Sequence, residues 1–436
     1  MKGAALLCSV AFSGLALALS SCESEPLTQA AGGTAGVAGT LESINAGIGG
    51  QSALGGSKGH GGTAPAAGQS GAASNVGGSA TAGTAGTAET AGLANGAGSA
   101  GEGNDACDAE SLGDLAVYLR SAWDPLGYPP YAFDACTLVY VAAGSDQGAL
   151  HVRNLATGRD ELLESADSKP RRPTVAGGVI AWEADGPNGS EVHVRAGGKV
   201  ETLSGAFVRA EEPRASSDAV VFTAFLGAGP NDDSDVYLFD VTSHELSPIA
   251  TGAGQQRFAD ISPTHVAFTD FSEDPQGYFN ELGSISDIAM IERATGLRSN
   301  RPAPGKQAFP ILGTDGVFAY LEWAAVHPEP KLGQFWLKVG KLDRPVSEDF
   351  NVKTSGQVTT NPAYVRPSLR GLNLDFIDQG SDGVALFRAS LGTPNALVSL
   401  KIQDSLYLFG PVAGDRFTLL ANQRPSQTFA LVAIPR

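Results

Sequence analysis

The feature that most constrains this chain is a weak internal repeat beginning at Tyr128. Four successive stretches share one plan: "YPPYAFDACTLVYVAAGSDQGALHVRNLATGRDELL", "RRPTVAGGVIAWEADGPNGSEVHVRAGGKVETL", "EEPRASSDAVVFTAFLGAGPNDDSDVYLFDVTSHELSPI" and "QRFADISPTHVAFTDFSEDPQGYFNELGSISDIAMIERATGLR". Each passes from a proline or apolar start through a short Gly, Asp or Ser gap into a β-branched strand that ends in an aromatic. A polar turn, a second alternating strand, a Thr-Gly-type turn and a last short strand complete the unit. Three weaker copies follow, "AFPILGTDGVFAYLEW…GQFWLKVGKLDRPV", "NPAYVRPSLRGLNLDFIDQGSDGVALFRASLGTPNALVSL" and "LFGPVAGDRFTLLANQRPSQTFALVAI", which brings the total to seven. The equivalent strand-end residues are Tyr140, Trp182, Phe222, Phe268, Tyr320, Phe376 and Leu420, spaced about 40 to 56 residues apart. Four short strands at that period make an all-β chain a β-propeller. Seven blades are expected, with six as the alternative if the final copy and the N-terminal segment pack differently.

Alternation of Val192 and Val194 with His193 and Arg195 is period two, so one face of the strand meets a neighbouring blade. Helix is expected at most over Ala109–Leu119. The last copy stops at Arg436 after its third strand, which would leave a sheet edge exposed. "DLAVYLRSA", Asp114 to Ala122, is therefore expected to supply the missing outer strand.

Several copies resemble the TolB-type propeller repeat, in which "P-x-x-S-x-D-G-x-x-I-A-F" leads to "I-Y-V-x-D-x-x-T-G". Thr264-His265-Val266-Ala267-Phe268, Val236-Tyr237-Leu238-Phe239-Asp240 and Leu155-Ala156-Thr157-Gly158 carry the likeness. It spans about 330 residues and implies the fold. It leaves function open, because such repeats serve scaffolds, periplasmic binding proteins and accessory domains of peptidases.

Ahead of the repeats the chain changes character. Lys2 and the apolar stretch Gly3–Leu19, about 17 residues, have the layout of a secretory signal and are short for a membrane span. Leu19-Ser20-Ser21-Cys22 resembles the bacterial lipobox, which implies a signal peptide over 1–21, a thioether to lipid at the Cys22 sulfur and acylation of the new amino terminus. Three acyl chains exceed what stable membrane attachment requires. Glu23 follows instead of an inner-membrane-retaining aspartate, so an outer-membrane lipoprotein is expected.

Residues 22–106 are mostly Gly, Ala, Thr and Ser without an aromatic side chain, too little apolar surface to offset the entropy of ordering. They read as a disordered tether with a reach of about 50 Å. "GGSKG" at Gly55–Gly59 matches the hydrolase pattern G-x-S-x-G, but it lacks the flanking strand and helix and its composition accounts for it.

The folded domain is then 107–436. It holds 29 − 2 = 27 basic and 40 acidic residues (46 − 6), a net charge of −13 with no basic stripe, so nucleic acid is not an expected partner. Its two cysteines, Cys107 and Cys136, are expected to pair in an oxidising compartment and to clamp the start of the domain onto the first repeat. No metal site is expected from the cysteines or histidines. His151 and His193 hold the same place in successive repeats, "LHVRN" and "VHVRA", and are repeat-derived strand residues.

In propellers of this type the loops between second and third strands carry the binding face. Those of repeats three to five are long, "LGAGPNDDSD", "DFSEDPQGYFNELGSISD" and "EWAAVHPEPKLGQF". They nominate Asp232, Asp233, Asp235, Glu273, Asp274, Tyr278, Phe279, Trp323 and His327 as a candidate binding face. The carboxylates could hold calcium, the one cofactor considered, and the aromatics could anchor a protein or glycan partner. The expected function is a lipid-anchored, non-enzymatic binding or scaffold module at the cell envelope. A hydrolase or lyase acting on surface polysaccharide is the alternative, and it requires titratable groups that converge near the central axis.

Overall fold

The computed structural model describes residues 107, 112, 115–117, 128–229, 231–277, 284–313, 316–323, 335–352, 366–380, 383–391, 396–400, 408–423 and 429–436. The expectations for the signal, Cys22 and the tether lie outside the described residues. Among these residues the chain forms seven four-stranded antiparallel sheets, a seven-bladed propeller.

A short N-terminal strand, β1 (Ala116–Val117), precedes the blades. Blade 1 holds β2 (Tyr131–Asp134), β3 (Thr137–Val141), β4 (Leu150–Asn154) and β5 (Asp160–Glu164). Blade 2 holds β6 (Arg171–Ala176), β7 (Val179–Gly186), β8 (Gly189–Ala196) and β9 (Lys199–Leu203). Blade 3 holds β10 (Arg209–Ala215), β11 (Ala219–Phe225), β12 (Ser234–Asp240) and β13 (Glu245–Ala250). Blade 4 holds β14 (Gln256–Ile261), β15 (His265–Asp270), β16 (Asp287–Glu292) and β17 (Arg298–Arg301). Blade 5 holds β18 (Lys306–Leu312), β19 (Val317–Trp323), β20 (Trp336–Lys341) and β21 (Phe350–Asn351). Blade 6 holds β22 (Ser368–Arg370), β23 (Asn373–Gly380), β24 (Gly383–Ser390) and β25 (Ala396–Leu400). Blade 7 holds β26 (Leu408–Ala413), β27 (Phe417–Gln423) and β28 (Phe429–Pro435), and β1 is its fourth strand.

The first strands touch one another all round, from β2 to β6, β10, β14, β18, β22 and β26, and β26 returns to β2. They therefore surround the axis, and the fourth strands form the rim. The repeated strand-end residues Tyr140, Trp182, Phe222, Phe268, Tyr320, Phe376 and Leu420 all lie on second strands and are buried. Each belongs to a core that joins two blades: Trp182 packs with Val139 and Leu150 of blade 1, and Phe222 with Val192 and Val194 of blade 2. Burial of one such large apolar residue per blade is what a weak repeat has to preserve, because the core lies between blades rather than within them.

The ring closes as expected. β1 pairs with β28 through Ala116–Ala430 and Val117–Phe429, and Val117 also bridges to Ala142 at the end of β3. Ala116 and Val117 are thus strand residues and not part of the helix expected at most over Ala109–Leu119. Tyr131 of blade 1 donates its hydroxyl to the Gly410 carbonyl of blade 7 (2.6 Å), and the Phe133 and Phe417 rings stack across the same seam. Cys107 is disulfide-bonded to Cys136 in the β2–β3 turn, with Cα atoms 5.3 Å apart, so the segment that seals blade 7 is tied covalently to blade 1.

A second regularity was not anticipated. The pairing of first and second strands slips by a bulge in five blades, and the bulged residues Arg172, Glu212, Phe258, Phe309 and Gly410 all have positive φ. Proline follows four of the five. In blade 6 Arg366-Pro367 stands at the same place, two residues before Ser368, which pairs with Asp375 just before Phe376. A bulge re-aims a side chain, and here it brings one residue from each of these blades to the level of the axis. Glycine serves in blade 7 because a Cβ at Gly410 would lie 2.6 Å from Pro129 Cβ.

Candidate functional site: an axial cavity

The first strands enclose a cavity of about 790 Å³ lined by all seven blades. Asp134, Thr174, Arg214, Asp260, Leu312, Arg370 and Val412 represent blades 1 to 7 in its wall. Gly177, Ser217, Gly313, Gly371 and Asp415, from turns between first and second strands, also line it, so it opens on that face. In an antiparallel blade this is the face opposite the second-to-third-strand loops. The site thus lies at the other end of the ring from the uneven loops.

The residues around the inner end are aromatic and cationic. Tyr128, Phe258 and Phe309 share one buried cluster. The guanidinium of Arg366 lies 4.0 Å from the centre of the Tyr128 ring and 5.3 Å from that of Phe309, and Arg214 and Arg172 lie 4.8 and 5.3 Å from Tyr128. Such contacts favour a cation, but they do not replace the hydrogen bonds that a guanidinium loses on leaving water.

The neighbouring buried charges are paired. Arg172 donates to Glu183 (2.8 Å), Arg257 to Glu212 (2.5 Å), Arg388 to Asp375 (2.8 Å) and Arg436 to Asp375 (3.0 Å). These carboxylates also stitch blade to blade. Glu183 accepts the Glu212 amide, Glu212 accepts the Phe258 amide, and Thr269 Oγ1 accepts the Phe309 amide, each at 3.2 Å, so three bulge amides are satisfied by the preceding blade.

Of the four arginines in the cavity wall, Arg370 contacts Asp415 and Asp134, Arg436 contacts Asp375, and Arg214 Nε stands 3.9 Å from Asp260. Arg366 is the exception. Its side chain is 2% exposed, and among the described residues none of its three guanidinium nitrogens has a hydrogen-bond partner. The Tyr128 hydroxyl beside it is likewise unpartnered. Burial, aided by the nearby Arg366 charge, lowers the Arg214 pKa to about 10. Burial raises the Asp260 carboxyl against the opposing pull of Arg214, and it raises the Tyr128 phenol. The inner end therefore carries unneutralised positive charge inside an acidic domain.

The loop face differs from its expected form. Asp235 is on β12 and 7% exposed, and Trp323 ends β19, 8% exposed and packed against Phe335. Neither stands on the surface as a contact residue, because the second-to-third-strand loop of blade 3 ends before Asp235 and that of blade 5 starts after Trp323. Asp232 caps its own turn by accepting the Gly229 amide (2.5 Å), and Asp274 accepts the Ile285 amide (3.1 Å). Asp233 and Glu273 are exposed. Burial, reinforced by Asp233, raises the Asp235 carboxyl. Tyr278, Phe279 and His327 lie outside the described residues. Among the described residues no group of three His, Cys, Asp or Glu side chains is arranged to hold a metal ion.

His151 and His193 occupy third strands, away from the axis. His151 Nδ1 is 3.1 Å from Asp160 and its ring lies tilted against Tyr140, while His193 lies between Glu164 and Glu191 against Trp182. They do not converge.

No protein-family model matches the chain, and no curated protein matches it. Solved structures do. The propeller domain of the Trilobed protease from Pyrococcus furiosus, described as having an open velcro topology, is 13% identical with a TM-score of 0.50, over 69% of this chain and 92% of that one. TolB from Acinetobacter baumannii is 13% identical with a TM-score of 0.39, over 56% of this chain and 57% of its own length. An acylaminoacyl peptidase from Pyrococcus horikoshii is 12% identical with a TM-score of 0.49, over 72% of this chain and 52% of the other. At these identities the likeness concerns the fold, a β-propeller. In this chain β1 completes blade 7.

Proposed function

We propose that this chain is an exported, lipid-anchored, non-enzymatic binding propeller of the cell envelope, held in the outer membrane through Cys22, that takes a segment of a protein or glycan partner into its axial cavity. The observation that carries this reading is the cavity itself, lined by every blade and ending at a buried guanidinium without a hydrogen-bond partner. Ligand sites are concave, with a few convergent polar groups at their depth. The polysaccharide lyase alternative gains nothing from His151 and His193, which face carboxylates on third strands. The lipobox-like Leu19-Ser20-Ser21-Cys22 and the Gly/Ala-rich segment after it supply the anchor and spacer.

The anchor is tested by metabolic labelling of the full chain with alkyne-palmitate in a Gram-negative host. Label on the wild type, none on Cys22→Ser, and co-sedimentation of the wild type with outer membranes are expected. An unlabelled wild-type chain overturns the anchor.

A further inference from the structure

Resting on the reading that the axial cavity is the binding site, we infer that its ligand presents an oxyanion, a carboxylate or a phosphoryl group, to Arg366. Six positions around the axis are equivalent by register: Arg172, Glu212, Phe258, Phe309, Arg366 and Gly410. The two other charged ones are paired, Arg172 with Glu183 and Glu212 with Arg257. Arg366 is as buried as these and has no carboxylate within ion-pair distance among the described residues, although it lines the cavity.

A guanidinium is not neutralised by losing a proton, so burial leaves it charged. An unpaired buried charge is among the most costly features a fold can carry, and retained strain of this kind gathers at ligand sites. Asp260, an acid in the same wall that feels the charge of both Arg214 and Arg366, accepts the Leu312 amide at 2.7 Å and makes its ion pair with Arg214. What the arrangement lacks is a planar or tetrahedral set of acceptor oxygens, and a guanidinium fork binds either with two parallel hydrogen bonds. The aromatic rings of Tyr128 and Phe309 hold that fork in place without satisfying its donors. The Tyr128 hydroxyl and Arg214 Nε, whose ion pair with Asp260 is too long for a hydrogen bond, supply two more donors without a hydrogen bond in the same cluster. An anion bound there would be neutralised once and hydrogen-bonded several times.

The experiment is thermal unfolding of the full chain in detergent, followed by tryptophan fluorescence, in chloride, acetate or phosphate at matched ionic strength and pH 7. A ligand that binds only the folded state raises Tm in a saturable way. Wild type is expected to gain at least about 3 °C in one of the two oxyanions over chloride. A response to acetate assigns a carboxylate, and a response to phosphate assigns a phosphoryl group.

Arg366→Met is expected to unfold in chloride no lower than wild type, because an unpaired charge has been replaced by an apolar chain, and to lose the oxyanion response. Arg366→Lys is expected to keep the response at about tenfold higher anion concentration, since it retains charge without the fork. No saturable shift in wild type, or a shift that persists in Arg366→Met, overturns the inference. So does a Tm for Arg366→Met well below wild type in chloride combined with a flat wild-type titration, which makes Arg366 a structural residue. Should the Met variant not fold, the wild-type and Lys titrations decide. None of these results decides whether the cavity binds a partner, which is read by cross-linking at its rim.

Discussion

Glu212→Ala is expected to destabilise the folded protein by about 3 to 5 kcal/mol, the cost of leaving a buried charge without its partner. Glu212 is 0% exposed and accepts three hydrogen bonds, from Arg257 (2.5 Å), the Thr223 hydroxyl (2.8 Å) and the Phe258 amide (3.2 Å). Its removal strands a guanidinium and the bulge amide of the next blade together. At roughly 2 to 4 °C per kcal/mol for a domain of this order of size, Tm should fall by about 10 °C. Glu212→Gln keeps the volume and one carbonyl acceptor and should lose about half as much. Calorimetry of the three proteins side by side checks this, and a Tm for Glu212→Ala within 2 °C of wild type would mean that the interblade carboxylate is dispensable. Arg366 is expected to behave oppositely: two residues at positions equivalent by register respond to removal in opposite directions, because one is paired within the protein and the other is not.

The second large effect is expected at the seam. Val117 is 1% exposed, pairs with Phe429 of blade 7 and bridges to Ala142 of blade 1. The Leu431 amide donates to the Leu115 carbonyl (3.1 Å) and the Ala143 amide to the Ala116 carbonyl (3.2 Å), so a few residues of backbone join the first blade to the last. Val117→Asp places an unpaired carboxylate in the apolar cluster with Leu112, Tyr131, Phe417 and Phe429 and should cost at least about 4 kcal/mol. The Cys107–Cys136 bond, closing a loop with a sequence separation of 29, adds on the order of 3 to 4 kcal/mol by restricting the unfolded chain. Val117→Asp is therefore expected to unfold at a lower temperature still after reduction. Hydrogen exchange should show the earliest loss of protection in β28 and β2. Uniform loss across all blades would show instead that the ring unfolds as one unit and has no weak seam.

The ring was legible in the sequence because its cores lie between blades, which forces one large apolar residue per repeat at a fixed place: Tyr140, Trp182, Phe222, Phe268, Tyr320, Phe376 and Leu420 all sit there. The closing strand was legible from arithmetic, since the last repeat is one strand short. The site was not legible in the same way. Arg172, Glu212, Phe258, Phe309, Arg366 and Gly410 differ in chemistry from blade to blade, and they become neighbours only when the ring closes. A signal did exist: "RRPT", "EEPR" and "VRPS" each put a charged residue before the proline at the start of a repeat, where an apolar one would pack more cheaply.

The loops of blades 3 to 5 are long, yet the Asp232 and Asp274 carboxylates accept amides of their own loops, and Trp323 is core. Which residues face a ligand depends on strand register and on the bulges.

The central claim, that the cavity face is the working face, is tested most directly by site-specific photo-cross-linking of the full chain in living cells. Benzoylphenylalanine placed at Ser217, on the cavity rim, is compared with the same probe at Asn231, in the exposed loop at the opposite end of blade 3. Adducts to a partner from Ser217 and none from Asn231 are the predicted result. Adducts from Asn231 with none from Ser217 would contradict it and return the binding role to the loops.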